Sequence, residues 1–97
     1  MIDLKLVFSE QFKSDFQKVA DFNKAYSQDF AAKTSKTIMK NIKIIESNPL
    51  IGKELLKQPD FSDRKLIVEG YNVIYRICNN KILLLRVYNQ KTNYTYK

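Results

Sequence analysis

From Arg64 to Asn89 the chain offers three runs rich in β-branched and aromatic residues, separated only by Glu69-Gly70 and Asn79-Asn80. Two-residue connections of this composition favour the left-handed conformations that hairpin turns require, so the stretch predicts a small antiparallel meander. The chain's three arginines, Arg64, Arg76 and Arg86, all lie on it, and no acidic residue follows Glu69. Five of the six tyrosines fall in this last third as well. A basic sheet bearing tyrosines is suited to meeting something anionic.

The 97 residues are read as one domain, 1–97, large enough for a single core between two layers. No apolar run approaches the ~20 residues of a membrane span. The N-terminal stretch, Met1 to Phe8, mixes charge into its apolar residues and does not read as a signal peptide. Cys78 stands alone and cannot form an internal disulfide, so a cytoplasmic location is expected. With no histidine and one cysteine, a zinc site or a histidine-based triad is excluded, and neither a metal nor a cofactor is expected. The net charge of +7 rests mostly on lysines. Those along the first half read as ordinary solvated faces, whereas the arginines of the sheet suit phosphate or carboxylate.

Ahead of the meander, Ile2, Leu4, Leu6 and Phe8 alternate with Asp3, Lys5 and Val7 as a strand with one buried face would. Ser9 then stands as a helix N-cap, with Glu10 in the first turn. Phe12, Phe16, Val19 and Ala20 predict a helix over 10–23, and Ala31, Thr34, Ile38, Ile42 and Ile45 a second over 27–47, with Lys33, Lys36, Lys40 and Lys43 facing solvent. Asn48-Pro49 ends it. A connection to Asp63 follows, with one short helical turn expected around Lys53 to Leu56. The predicted class is α+β: an N-terminal strand, a helical hairpin and a three-stranded antiparallel meander, the helices packed on one face of the sheet.

A two-residue turn at Asn79-Asn80 sets Cys78 against Lys81 and, counting back, Asn72 against Val87. One face then carries Leu66, Val68, Val73, Tyr75, Ile77, Ile82 and Leu84, with Arg64, Arg86, Tyr71 and Tyr88 toward its margins, and belongs under the helices. The other carries Lys65, Ile67, Asn72, Ile74, Arg76, Leu83, Leu85, Val87 and Asn89, a mixture suited to an open surface. Tyr75 reads as core. Arg86 reads as one partner of a structural salt bridge, ahead of a target contact, and Cys78 as an inert thiol.

The order of elements, with Val7-Phe8-Ser9, Asn48-Pro49-Leu50-Ile51-Gly52, Gly70-Tyr71-Asn72-Val73-Ile74-Tyr75-Arg76-Ile77 and Ile82 to Asn89, resembles the ParE/RelE superfamily of toxins from bacterial type II toxin–antitoxin (plasmid stabilisation) modules. The resemblance implies a cognate antitoxin, a possible higher-order complex with it, and one of two activities. RelE-like members cleave messenger RNA in the ribosomal A site; ParE-like members poison DNA gyrase and are not nucleases. The nuclease branch implies an arginine two positions after the turn glycine and an ionisable group near the C-terminus. Here those positions hold Asn72 and Asn89. Lys65 matches a lysine of the nuclease type, and Arg76, Lys91 and Tyr94 could complete such a site.

The ending Arg86 to Asn93 is closer to the ParE-like pattern, so gyrase inhibition is the favoured reading, a ribosome-dependent endoribonuclease the alternative, and an inactive toxin-like binding domain the third. Target-binding candidates are Arg64, Lys65, Asn72, Arg76, Arg86, Asn89, Lys91, Tyr94 and Tyr96. Antitoxin-binding candidates are Ile74, Leu83, Leu85 and Val87.

Overall fold

The computed structural model describes residues 4–91. Strand β1 (Lys5–Phe8) leads into helices α1 (Glu10–Lys24) and α2 (Gln28–Ser47), then a single 3-10 turn (Pro49–Ile51), then strands β2 (Lys53–Lys57), β3 (Phe61–Val68), β4 (Tyr71–Cys78) and β5 (Lys81–Asn89). The strands form one five-stranded sheet in the order β1-β5-β4-β3-β2, with β1 parallel to β5 and all other neighbours antiparallel. The class is α+β, as expected.

Each helix starts on a serine. The Ser9 hydroxyl accepts from the Phe12 N–H at 3.0 Å, and the Ser27 hydroxyl from the Phe30 N–H at 2.8 Å. Both hairpin turns place two successive residues in the left-handed region, Glu69 (φ 51°) with Gly70 (φ 82°) and Asn79 (φ 48°) with Asn80 (φ 61°). That pairing matches the twist of the flanking strands. The core joins Phe12 and Val19 of α1 and Ile38, Ile42 and Ile45 of α2 to Val73, Tyr75, Ile82, Leu84 and Val87 of the sheet. The expected stripe of α2, from Ala31 to Ile45, is buried throughout.

Two expectations are overturned. Lys53 to Leu56 is not a helical turn but part of edge strand β2, paired with β3. The helical turn occurs earlier, at Pro49, whose fixed φ suits it. Beyond it, the Tyr75 hydroxyl donates to the Pro49 carbonyl at 2.6 Å and accepts from the Gly52 N–H at 2.9 Å, which aims the following residues along the sheet edge. The second correction concerns register. The predicted pairing holds from Cys78↔Lys81 to Tyr75↔Leu84, but then Leu85 is an extra residue, so Ile74 opposes Arg86 and Asn72 opposes Tyr88 rather than Val87. The bulge sits where β1 ends. Past it, Val87 turns into the core instead of lying on the helix-free face.

Candidate functional site

With the register corrected, alternation along the strands defines the face that the helices leave bare. Lys53 lies directly opposite Lys65, and Lys5 directly opposite Lys81. Lys65 shares this face with Ile74, and Lys81 with Cys78. Like charges directly across a strand pair are destabilising. Two such pairs make this face basic, a surface suited to an anionic partner.

The arginines do not extend that surface freely. Arg76 donates through Nε and Nη2 to the two carboxylate oxygens of Asp63, at 2.6 and 3.0 Å, and its guanidinium carbon lies 4.1 Å from the centre of the Phe61 ring. Asp63 is fully buried, and its hydrogen bonds push the pKa of Arg76 above its already high ordinary value. Arg64 is a brace: it donates to the Gly52 and Leu50 carbonyls at 2.7 and 3.3 Å and pairs with Glu54 at 3.3 Å. Arg86 pairs with Asp15 of α1, as the salt-bridge reading anticipates. Among the target-binding candidates, then, Arg64 and Arg86 serve the scaffold, and Arg76 is held rigid at the surface.

Asp15 is the centre of a dense node. Only 4% exposed, it accepts from four donors: Arg86 Nε (2.6 Å), Arg86 Nη2 (3.2 Å), the Val87 N–H (3.1 Å) and Gln11 Nε2 (3.0 Å). The Ser9 hydroxyl donates to the Leu85 carbonyl at 3.1 Å. Side chains of α1 and its cap thus replace, along the second half of β5, the neighbour that β1 supplies along the first.

The remaining candidates divide. Asn72 is only 8% exposed, and its Oδ1 is buried with no hydrogen-bond partner among the described residues. Asn89 turns its Oδ1 back onto the Lys91 N–H at 2.8 Å. Lys65 is half-buried and Lys91 exposed. Of the antitoxin candidates, Leu83 and Leu85 keep part of their surface, whereas Ile74 and Val87 are 1% exposed and have almost none to offer a partner. Tyr94 and Tyr96 lie outside the described residues. Among the described residues no cluster could hold a metal ion, and no helix is long and apolar enough to cross a membrane.

The family model for the ParE toxin of type II toxin–antitoxin systems (parDE) matches residues 6–94. This chain belongs to the ParE toxin family. The toxin's fold is shared with a chain of the chromosomal ParDE system from P. aeruginosa, with a TM-score of 0.74 and 18% identity over 90% of this chain and 96% of that one. A chain of the archaeal RelE–RelB complex from Pyrococcus horikoshii superposes with a TM-score of 0.71 and 13% identity, covering 93% and 98%. The Staphylococcus aureus YoeB dimer gives 0.51 and 24%, covering 87% and 93%. No curated protein matches the chain.

The toxin's internal acids are what sequence reasoning missed. Asp15 and Asn23 share the buried side of α1 with Phe12 and Val19, at helical spacings of three and four. Polar residues in phase with an apolar stripe are the available sign. Asp63 faces Arg76 in the register that the Glu69-Gly70 turn dictates, so that pair was open to the same count that aligned β4 with β5.

Proposed function

We propose that this toxin, neutralised by a cognate antitoxin, arrests growth by binding DNA gyrase through its lysine-bearing face, without nuclease chemistry. The observation that carries this reading is Asn72. Cleavage of RNA needs a donor or acid–base group presented to the ribose and phosphate. At the position where the resemblance implies an arginine for a nuclease, the toxin has an uncharged amide buried against its own sheet. Asn89 cannot exchange a proton near neutral pH, and its carbonyl oxygen is occupied by Lys91. What remains on the helix-free face is two lysine pairs, Lys5 with Lys81 and Lys53 with Lys65, at opposite edges of the sheet, an arrangement that favours association with an anionic surface more than bond cleavage.

The test is a pair of assays on purified protein. Gyrase supercoiling is expected to be inhibited, and messenger RNA on programmed ribosomes to stay intact. Replacing Lys53 and Lys65 by glutamate is expected to weaken gyrase inhibition, whereas the same change at Lys33 and Lys36 on α2 leaves it unaltered. Codon-dependent cleavage with gyrase unaffected would replace this proposal with the ribosome-dependent nuclease.

A further inference from the structure

Helix α2 carries two opposed stripes. Ala31, Thr34, Ile38, Ile42 and Ile45 form its buried side. Lys33, Lys36, Lys40 and Lys43, expected as an ordinary solvated face, are all exposed and recur at spacings of three, four and three. At 3.6 residues per turn these spacings hold the four lysines within an arc of about 80°, and at 1.5 Å per residue they span about 15 Å. The helix thus presents a straight crest of cations on the side turned from the core.

This crest lacks the balancing charge of a common solvated face. Exposed helices usually mix signs, so that a cation finds an acid three or four residues away, as Lys13 finds Glu10 on α1 at 3.1 Å. From Lys33 to Lys43 no acidic residue occurs. Lys43 alone reaches an acid beyond the crest, Glu46 at 3.7 Å, and among the described residues Lys33, Lys36 and Lys40 form no ion pair. Lysines gathered along one side of a helix are the electrostatic footprint of a nucleic-acid surface.

The rest of the stretch narrows the class of polyanion. Unpaired bases are held by stacking on aromatic rings, and none lies between Lys33 and Lys43. A lipid surface is held by apolar side chains that enter it, but Ile38 and Ile42 are fully buried and Met39 packs against the core. A duplex needs only cations along a line, because its phosphates are fixed in place and supply one charge per about 1.7 Å of axis, or roughly nine along the length of the crest. Thr37, partly exposed beside Lys36 and Lys40, adds a hydroxyl of the kind that contacts phosphate.

We infer that the crest of α2 is a docking surface for the phosphate backbone of duplex DNA, engaged without regard to base sequence. It belongs to the helical layer, apart from the lysine pairs of the bare sheet face, and does not depend on the target proposed for that face. Because at most four phosphates are neutralised, the contact is weak and strongly sensitive to salt.

The probe is a fluorophore-labelled duplex of about 20 base pairs and arbitrary sequence, titrated with the full chain by fluorescence anisotropy between about 50 and 200 mM salt. Four contacts give a slope of log Kobs against log salt of about −3.6, a loss of roughly 150-fold across that range. Lys36→Gln combined with Lys40→Gln is expected to halve the slope to about −1.8, so that the loss falls to roughly 12-fold. Lys36→Arg with Lys40→Arg is expected to keep the wild-type slope, and so is Lys53→Gln with Lys65→Gln, which removes the same net charge from the other side of the molecule. Lys36 and Lys40 are exposed, so their variants are expected to melt as the wild type does. A second duplex of unrelated sequence is expected to bind equally. Four results overturn the inference: no binding at about 50 mM salt, a slope that follows Lys53 and Lys65 instead of Lys36 and Lys40, a single-stranded oligonucleotide bound more tightly than the duplex, or phosphatidylglycerol vesicles bound more tightly than the duplex. Gyrase takes no part in this readout, so the two readings fail independently.

Discussion

Replacing Asp15 with alanine should cost this small domain a large share of its stability. Two losses add. Breaking a buried ion pair by removing one partner costs about 3–5 kcal/mol, but the Arg86 side chain is 28% exposed and can partly rehydrate, which reduces that contribution to about 1–2 kcal/mol. The Val87 N–H, on a residue 1% exposed, loses its acceptor for a further roughly 1–3 kcal/mol. The sum centres on about 3 kcal/mol, against about 5–15 kcal/mol for a chain of this length. At about 4–8 °C per kcal/mol the melting temperature falls by roughly 12–24 °C.

Asp15→Asn keeps the shape and one acceptor oxygen but turns an amide toward existing donors, so about 1–2 kcal/mol is expected there. Circular dichroism melts and urea titrations give both values. A double-mutant cycle with Arg86→Met should return a coupling of at least about 1.5 kcal/mol. A loss below about 1 kcal/mol for Asp15→Ala, or strictly additive single variants, would refute the idea that this carboxylate stands in for a missing strand.

Gly52→Ala places a Cβ 2.7 Å from the Tyr75 hydroxyl and 3.0 Å from the Lys65 carbonyl, so destabilisation of about 1–3 kcal/mol is expected although the backbone angles suit any residue; a neutral melt would show that β2 shifts freely. Burial pushes the Tyr75 hydroxyl above the ordinary tyrosine range, against the opposing pull of the Gly52 N–H and Arg64. Above pH about 10 the unfolded chain therefore ionises before the folded one and stability is lost; Tyr75→Phe should flatten that part of the melting-temperature profile. Asn72→Val removes a buried, unpartnered oxygen from a strand and should raise stability by about 1 kcal/mol, unless the amide meets a partner in solution that the described residues do not provide. Deleting residues 93–97 should reduce growth arrest sharply while the melt changes little, because that stretch of sequence offers few apolar groups, Tyr94 and Tyr96 alone being large; joint loss of both would make the end of the chain structural.

Much of the fold was legible because local chemistry and tertiary structure agree. Serines before helical runs, a stripe from Ala31 to Ile45 and two-residue turns each specify geometry within a few positions. Strand β2 was not legible. Lys53-Glu54-Leu55-Leu56-Lys57 has no alternation, and its strand character comes from pairing with β3 and from Arg64, groups distant in sequence. The bulge at Leu85 was hidden for a related reason: Ile82 to Leu85 is aliphatic at every position, so neither register leaves a polar residue in the core to betray it. The ion pair of Arg76 was not foreseen, because Asp63 lies on another strand, whereas Arg86 meets the salt bridge expected of it, with an acid on α1.

That occupancy of the arginines bears on how a scaffold of this kind changes targets. A guanidinium reads an anion by shape, through a fixed fork, whereas an ammonium on a long stem accepts almost any direction of approach. With its three forks paired to Glu54, Asp63 and Asp15, the toxin leaves Lys5, Lys53 and Lys81 as exposed cations of the helix-free face. If the helix-free face meets the target, as proposed, recognition there should be tolerant of geometry and sensitive to salt, and open to retuning by moving single lysines without disturbing any of these three pairs.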